Sequence, residues 1–163
     1  MAAPCPGCGF DAASLSPLDA VVALRSFARR FAEIGAPDPD DDDDGTAATD
    51  VPTEETLAAA VAAAAAISTS GDQLRRVLVE NSPEVGPAPD LGAPPAASAP
   101  AGASPEGIER LRAAAESVAD LATHQPLSAW SRTGRRAGKD VTAADLLREA
   151  VHAGAHYLRV ADG

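Results

Sequence analysis

The stretch DVTAADLLREAVHAGAHYLRV, residues 140–160, decides the fold class. Thr142 and Asp145 have the spacing of a capping box, in which each side chain accepts from the other residue's backbone N–H at the start of a helix. The residues after this pair repeat three and four positions apart, as on one face of an α-helix. These residues are Leu146, Leu147, Ala150, Val151, Gly154 and Leu158. The stretch therefore predicts a long amphipathic helix that ends near residue 160.

Three earlier stretches predict helices as well. The first covers residues 17–34, with Ser16 as its cap and proline in its first turn. The second covers residues 53–79 and includes a long alanine run, and Gly71 predicts a kink or break within it. The third covers residues 104–121 and again begins with serine and proline. No stretch has the alternating pattern of a strand.

Four helices joined by long connections predict an all-α fold, a four-helix bundle in one domain over residues 1–163. Within this domain, residues 1–15 form an N-terminal segment with a Cys-x-x-Cys motif, and residues 36–51 form an acidic linker. Residues 81–103 are rich in proline and alanine and predict a long, mobile crossover of extended character.

Composition excludes several classes of function. The net charge of −11 leaves no excess of Lys and Arg to neutralise phosphates, so nucleic acid is not an expected partner. No apolar run reaches the roughly 18 residues of a membrane span, and no secretory signal is visible, which predicts a cytoplasmic protein with reduced thiols. Only 3% of the residues are aromatic, so the core is thin and a homodimer is an expected way to complete it.

Charged runs between the helices suggest surface segments. Asp40, Asp42, Asp44 and Gly45 match part of a calcium loop, but the twelfth position is Val51, so a solvated acidic linker is expected. A basic cluster before the last helix suits either local charge balance or the docking of an anion or an acidic partner. The cluster consists of Arg132, Arg135, Arg136 and Lys139.

Cys5 and Cys8 form a Cys-x-x-Cys motif that allows three interpretations. The pair is incidental, or it is half of a metal site completed by distant histidines, or it is an exposed redox dithiol. No second cysteine pair follows that would complete a zinc knuckle, and no strand precedes the motif as in thioredoxins.

His152 and His156 lie four residues apart, so that both imidazoles on one helix face can bind one metal ion. A helical wheel, however, puts both on the side opposite the apolar residues, beside Arg148 and Arg159. The pattern alone therefore favours two solvated side chains. The third histidine, His124, is expected to be a charge at the end of the third helix.

Three stretches together resemble the actinobacterial branch of the DinB/YfiT-like superfamily: CPGCGFD at residues 5–11, LSAWSRTGRR at 127–136 and LLREAVHAGAHYLRV at 146–160. The resemblance implies a four-helix bundle with a divalent metal held by three histidines, one on the second helix and a pair on the last. His152 and His156 correspond to that pair, whereas the second helix has no histidine. Glu149, Cys5 or Cys8 would have to complete the metal shell.

The resemblance also frames the expected function. Relatives include mycothiol- and bacillithiol-dependent transferases and the maleylpyruvate isomerase domain, which implies a metal-dependent S-transferase whose partner is a low-molecular-weight thiol or another small molecule. The expected metal is zinc, nickel or manganese. The second helix has alanines where the family has its metal-binding histidine, which favours a degenerate site. The alternative is a non-catalytic binding or regulatory bundle that has lost the metal. A redox protein working through Cys5 and Cys8 is a third expectation, and catalysis itself is left open.

Overall fold

The computed structural model describes residues 4–34, 52–82, 84–92 and 106–163. This part of the chain is mostly helical, which confirms the predicted helical class. In chain order its elements are α1 (Pro17–Glu33), α2 (Glu54–Leu78), α3 (Glu106–Thr123), β1 (Thr133–Arg136), β2 (Lys139–Thr142) and α4 (Ala143–Asp162). Two short 3-10 helices cover Ala12–Ser14 and Leu127–Ser131.

Side-chain caps fix the starts of the helices where the sequence predicts them. Ser16 accepts from the backbone N–H of Asp19, whose carboxylate accepts in return from the N–H of Ser16. Thr142 and Asp145 form the same reciprocal capping box before α4. These bonds satisfy backbone donors that have no partner within the helix, and so they define its first residue.

The four helices pack so that α3 and α4 each contact both α1 and α2, while α1 and α2 lie diagonally opposite each other. The alanines of α2 are buried on most of its circumference, and their small side chains let α3 and α4 approach closely. The largest fully buried side chains fill the centre, among them Leu24, Phe27, Phe31, Ile67, Leu74, Leu111, Leu146 and Leu147. No helix in the described ranges is long and apolar enough to cross a bilayer.

The predicted kink at Gly71 is wrong, because α2 continues unbroken through this residue. A Cβ atom at Gly71 would lie 2.6 Å from Cγ2 of Val118 on α3, closer than two carbon atoms can approach. Glycine is therefore needed here for the contact between two helices, and its cost in helix propensity is offset by packing.

The structure also has strands that the sequence does not predict. β1 and β2 form an antiparallel hairpin in which Thr133 pairs with Thr142 and Arg136 with Lys139. The turn between them consists of Ala137 and Gly138, both with positive φ, as in the tight two-residue turns that suit strand twist. The hairpin leads directly into α4 and thereby orients its first turn.

The first part of the predicted crossover lies against the bundle. Val85 donates its backbone N–H to the carbonyl oxygen of Arg135 at 3.0 Å, and the side chain of Gln73 donates to the carbonyl oxygen of Pro87 at 2.7 Å. Residues 84–92 thus form a segment that is docked on the bundle. The acidic linker with its calcium-like pattern, and residues 93–103 of the crossover, lie outside the described residues.

Candidate metal centre

A tight turn presents the two cysteines at the N-terminal end of the described chain. The backbone N–H of Gly9 donates to the carbonyl oxygen of Cys5 at 2.7 Å, and the N–H of Cys5 donates to the carbonyl oxygen of Phe10 at 3.1 Å. Gly9 has a φ of +69°, a conformation that is strained for residues with a side chain. The turn places both sulfur atoms on the same side of the chain as α4, and both cysteines are half-buried and free.

The N-terminal segment, residues 4–16, folds onto α4 at its two histidines. The ring of Phe10 stacks parallel to that of His152, with centroids 5.9 Å apart and an interplanar angle of 9°. Gly7 lies so near His156 that a Cβ atom there would be 3.4 Å from the imidazole Cε1. Further along, the guanidinium of Arg148 donates to the carbonyl oxygen of Leu15 at 3.1 Å.

These contacts bring Cys5, Cys8, His152 and His156 together, with one ligand atom of each within 4.8 Å of every other. Two thiols and two imidazoles in such a cluster could hold a metal ion. The prediction that the histidines form a solvated face is wrong, because the N-terminal segment covers them and both are half-buried. A helical wheel describes one helix, and it cannot include a segment that folds back from elsewhere in the chain.

Two imidazole nitrogens in the cluster are fully shielded from solvent and find no hydrogen-bond partner in the described part of the chain: Nε2 of His152 and Nδ1 of His156. Buried polar atoms are nearly always satisfied, because burying one without a partner costs about 1–3 kcal/mol. The two rings stand almost perpendicular, at 87°, with centroids 6.2 Å apart. Unpartnered nitrogens beside two thiols are available to coordinate a metal ion.

The surroundings of His152 keep its imidazole in the neutral form that binds a metal ion. Burial lowers the pKa of His152 below its ordinary 6.5, and the nearby His156 lowers it further, so its imidazole is neutral at pH 7. Hydrogen bonds from the backbone of Gly7 and Cys8 lower the pKa of the Cys5 thiol. Burial raises the pKa of the Cys8 thiol. Neutral imidazole is the form that coordinates a metal, and the thiols must lose their protons when the ion binds.

Glu149, predicted as a possible further ligand, has a different partner. Its carboxylate accepts two hydrogen bonds from the guanidinium of Arg136, at 2.5 and 2.9 Å, and this ion pair is mostly buried. Arg136 also donates to the side chain of Gln73 and to the carbonyl oxygen of Gly86. The pairing with Glu149 raises the pKa of Arg136. Arg136 thus joins α2, α4, β1 and the docked segment, and it belongs to the scaffold below the cluster.

Replacing Glu149 by glutamine should leave the metal content of the protein unchanged and lower its free energy of unfolding by about 1–2 kcal/mol, because Arg136 loses its negative partner and one of its two acceptor oxygens. Metal analysis by mass spectrometry and urea unfolding measure the two effects. His152→Ala is the matched substitution on the same helix, and it should lose metal. Loss of metal from Glu149→Gln would instead identify the carboxylate as a ligand.

A cavity of about 820 Å³ lies beside the cluster, between α1 and α4. Its floor is apolar and includes Ala23, Phe27 and Ala155, while Arg30 and Arg159 stand at its rim with two acidic residues. Cys8 and Phe10 form the wall toward the cluster. The cavity therefore places space for a small molecule beside Cys8 of the candidate metal centre.

Comparison with protein-family models, with curated proteins and with solved structures finds no match to this chain. The geometry of the cluster is therefore the basis of the functional argument.

The sequence identifies all four members of the cluster but not the residues that support them. Phe10 lies two residues after Cys8, and an aromatic residue so close to a metal-binding pattern is a signal for the stacking on His152. Arg136 appears in the sequence as one of four basic residues, of which Arg132 also bonds internally, to the carbonyl oxygen of Leu78. His124 donates its ring N–H to the carbonyl oxygen of Asp120 at the end of α3 and takes no part in the cluster.

Proposed function

We propose that this chain is a zinc-binding helical domain in which one ion, held by Cys5, Cys8, His152 and His156, fastens the N-terminal segment to α4. The observation that carries the proposal is the convergence of two thiols on two imidazoles whose buried nitrogens have no other partner among the described residues. Each half of the site comes from a different end of the chain. Binding of the ion therefore links the two ends of the domain.

The donor set selects the metal. Two thiolates and two imidazoles form one of the sets typical of tetrahedral structural zinc sites. Manganese prefers carboxylate and water oxygens, and nickel with nitrogen and oxygen donors favours a square-planar arrangement, so of the three metals expected from the sequence zinc fits these side chains best. Glu149, the one carboxylate considered, is held by Arg136.

The number of donors favours a structural role for the ion. Four protein ligands fill a tetrahedral zinc ion, whereas a catalytic zinc keeps one position open for water or substrate. The N-terminal segment has few other anchors, chiefly the stacking of Phe10 on His152 and the bond from Arg148 to Leu15. A zinc ion would supply the strongest of its attachments. The domain is then a non-catalytic binding or regulatory module, and unlike the sequence-based alternative it retains its metal.

A second candidate function is metal-dependent S-transfer from a low-molecular-weight thiol, as in the DinB/YfiT-like proteins, of which the chain would be a divergent relative. The cavity beside Cys8 favours it, because a substrate there would lie next to the ion. Zinc lowers the pKa of a bound thiol and so supplies a thiolate. This function requires one protein ligand to leave. Turnover of a thiol and an electrophile that His152→Ala abolishes would support it.

Cobalt(II) in place of zinc tests the proposed site, because its visible spectrum reports both geometry and ligands. The wild-type protein should bind one equivalent and show the intense d–d bands of a tetrahedral ion together with thiolate-to-cobalt charge transfer. Zinc should displace the cobalt and bleach both features. The charge-transfer intensity should fall to about half in Cys8→Ser, since one of two thiolates is lost.

Variants separate this site from adventitious binding. His156→Ala should change the d–d bands while keeping the charge transfer, whereas His124→Ala, outside the cluster, should leave the spectrum unchanged. A pale octahedral spectrum, or cobalt bands that survive the loss of Cys8, would contradict the proposed ligand set.

A further inference from the structure

We propose that Cys8 is a modification site, alkylated by small carbon electrophiles that bear an apolar group and enter the cavity between α1 and α4. The inference rests on the proposed function, since the zinc ion is what keeps the Cys8 sulfur as a thiolate at neutral pH.

The cavity defines the class of electrophile. Its floor is formed by Ala23, Phe27, Val151, Ala155 and Leu158, whose apolar surfaces favour an alkyl or aromatic group. Its volume of about 820 Å³ is within the range of small-molecule sites in proteins. Polar groups, including Arg30 and Arg159, stand near the cavity entrance and can contact the solvated end of the same molecule.

Position in the fold distinguishes the two cysteines. Of the two, Cys8 lines the cavity in the described structure, and Phe10 beside it continues the wall. An electrophile bound in the cavity therefore lies nearer to Cys8 than to Cys5.

The reaction is a single displacement. The Cys8 thiolate attacks the electrophilic carbon, a carbon–sulfur bond forms, and the bond to the leaving group breaks with its electron pair, as with iodide from an iodoacetamide. No oxidant or reductant takes part, and the thiol proton has already passed to solvent on zinc binding. The product is a neutral thioether, which is a weaker zinc ligand than the thiolate it replaces.

The test compares N-benzyl iodoacetamide with iodoacetamide, two probes that share the reactive carbon and differ in the apolar group. Zinc-loaded protein is treated briefly with less than one equivalent, and peptide mass spectrometry assigns the adduct to each cysteine. The benzyl probe should label Cys8 about tenfold more than Cys5, and iodoacetamide should show a smaller preference. In guanidinium chloride the two cysteines should react alike.

Ala23→Phe fills the cavity from α1 without touching the cluster and should remove most of the benzyl preference. Ala62→Phe, at a comparable half-buried alanine on α2 away from the cavity, is the matched control. Equal labelling of both cysteines in the wild type, or a benzyl preference that Ala23→Phe leaves intact, would overturn the inference. Zinc content is measured on the same samples: bound zinc without a Cys8 preference refutes this inference alone, and absence of zinc binding refutes the proposed function with it.

Discussion

Replacement of both Cys5 and Cys8 by serine should weaken zinc binding about a thousandfold or more, which corresponds to about 4 kcal/mol of binding free energy. The substitutions keep the shape of the turn but remove both thiolates, and two imidazoles on one helix are a weak site for zinc. Competition with a chromophoric chelator at constant pH measures the affinity of both proteins.

The same substitution should abolish the stabilisation that zinc gives to the fold. Free zinc at about a hundred times its dissociation constant stabilises the native state by about 2.7 kcal/mol, and it raises the melting temperature accordingly. In the double variant the addition of zinc should leave the melting temperature unchanged. Its far-ultraviolet circular dichroism should remain helical, because the buried core formed by α1–α4 does not include the cysteines.

His124→Ala is the control for both measurements, since it removes a histidine that lies outside the cluster. It should bind zinc as the wild type does and melt at a higher temperature when zinc is added. A double cysteine variant that retains wild-type affinity would show that the ion, if bound, has other ligands, and the proposed centre would be wrong.

Local signals explain why the helices could be predicted from the sequence. Ser16 and Thr142 make the capping bonds that their spacing to Asp19 and Asp145 predicts, and helices α1 and α4 begin within one residue of the predicted positions. Caps and apolar periodicity act within a few residues of the chain, so a single sequence contains them.

Two features of the fold depend on contacts that periodicity does not report. Glycine is found inside the unbroken α2 because a Cβ atom at position 71 would collide with Val118 of α3. The hairpin turns at Ala137 and Gly138, and alanine at a positive φ lacks the Asn-Gly or Asp-Gly signal by which such turns are recognised. The hairpin is held to the rest of the fold by bonds between distant residues, among them those from Val85 to Arg135 and from Arg136 to Glu149.

The sequence predicts which residues belong to the candidate site, but it does not predict how they are arranged in space. Motif spacing identifies the cysteine pair and the histidine pair separately, and a metal site shared between them was one of the interpretations that the sequence allowed. The helical wheel of α4 argues against a shared site, because it places both histidines on the exposed side of the helix. In the fold that side is covered by the N-terminal segment, more than 130 positions away in the chain, as the bond from Arg148 to Leu15 illustrates. Neither motif alone indicates that the N-terminal segment contacts α4.

Zinc affinity should fall as the pH is lowered. Where both thiols are protonated, the loss should approach about a hundredfold for each pH unit, because the ion displaces one proton from each thiol. The pKa of Cys8 is raised above its ordinary value of 9.0, so this thiol is protonated throughout the neutral range. The pKa of Cys5 is lowered, so it loses its proton first as the pH rises. Above that pKa the dependence should ease toward about tenfold per unit.

His152 changes the acid side of this profile in a defined direction. Since its folded-state pKa lies below 6.5, the unfolded chain takes up this proton more readily, and the metal-free fold loses stability as the pH falls below about 6.5. Above that pH the imidazole is neutral in both states and neither opposes zinc nor affects folding. Chelator competition between pH 6 and 8, corrected for the chelator's own protonation, measures the slope, and Cys8→Ser should reduce it by about one proton. An affinity independent of pH would mean that no thiol proton is displaced, and a centre built on Cys5 and Cys8 would then be untenable.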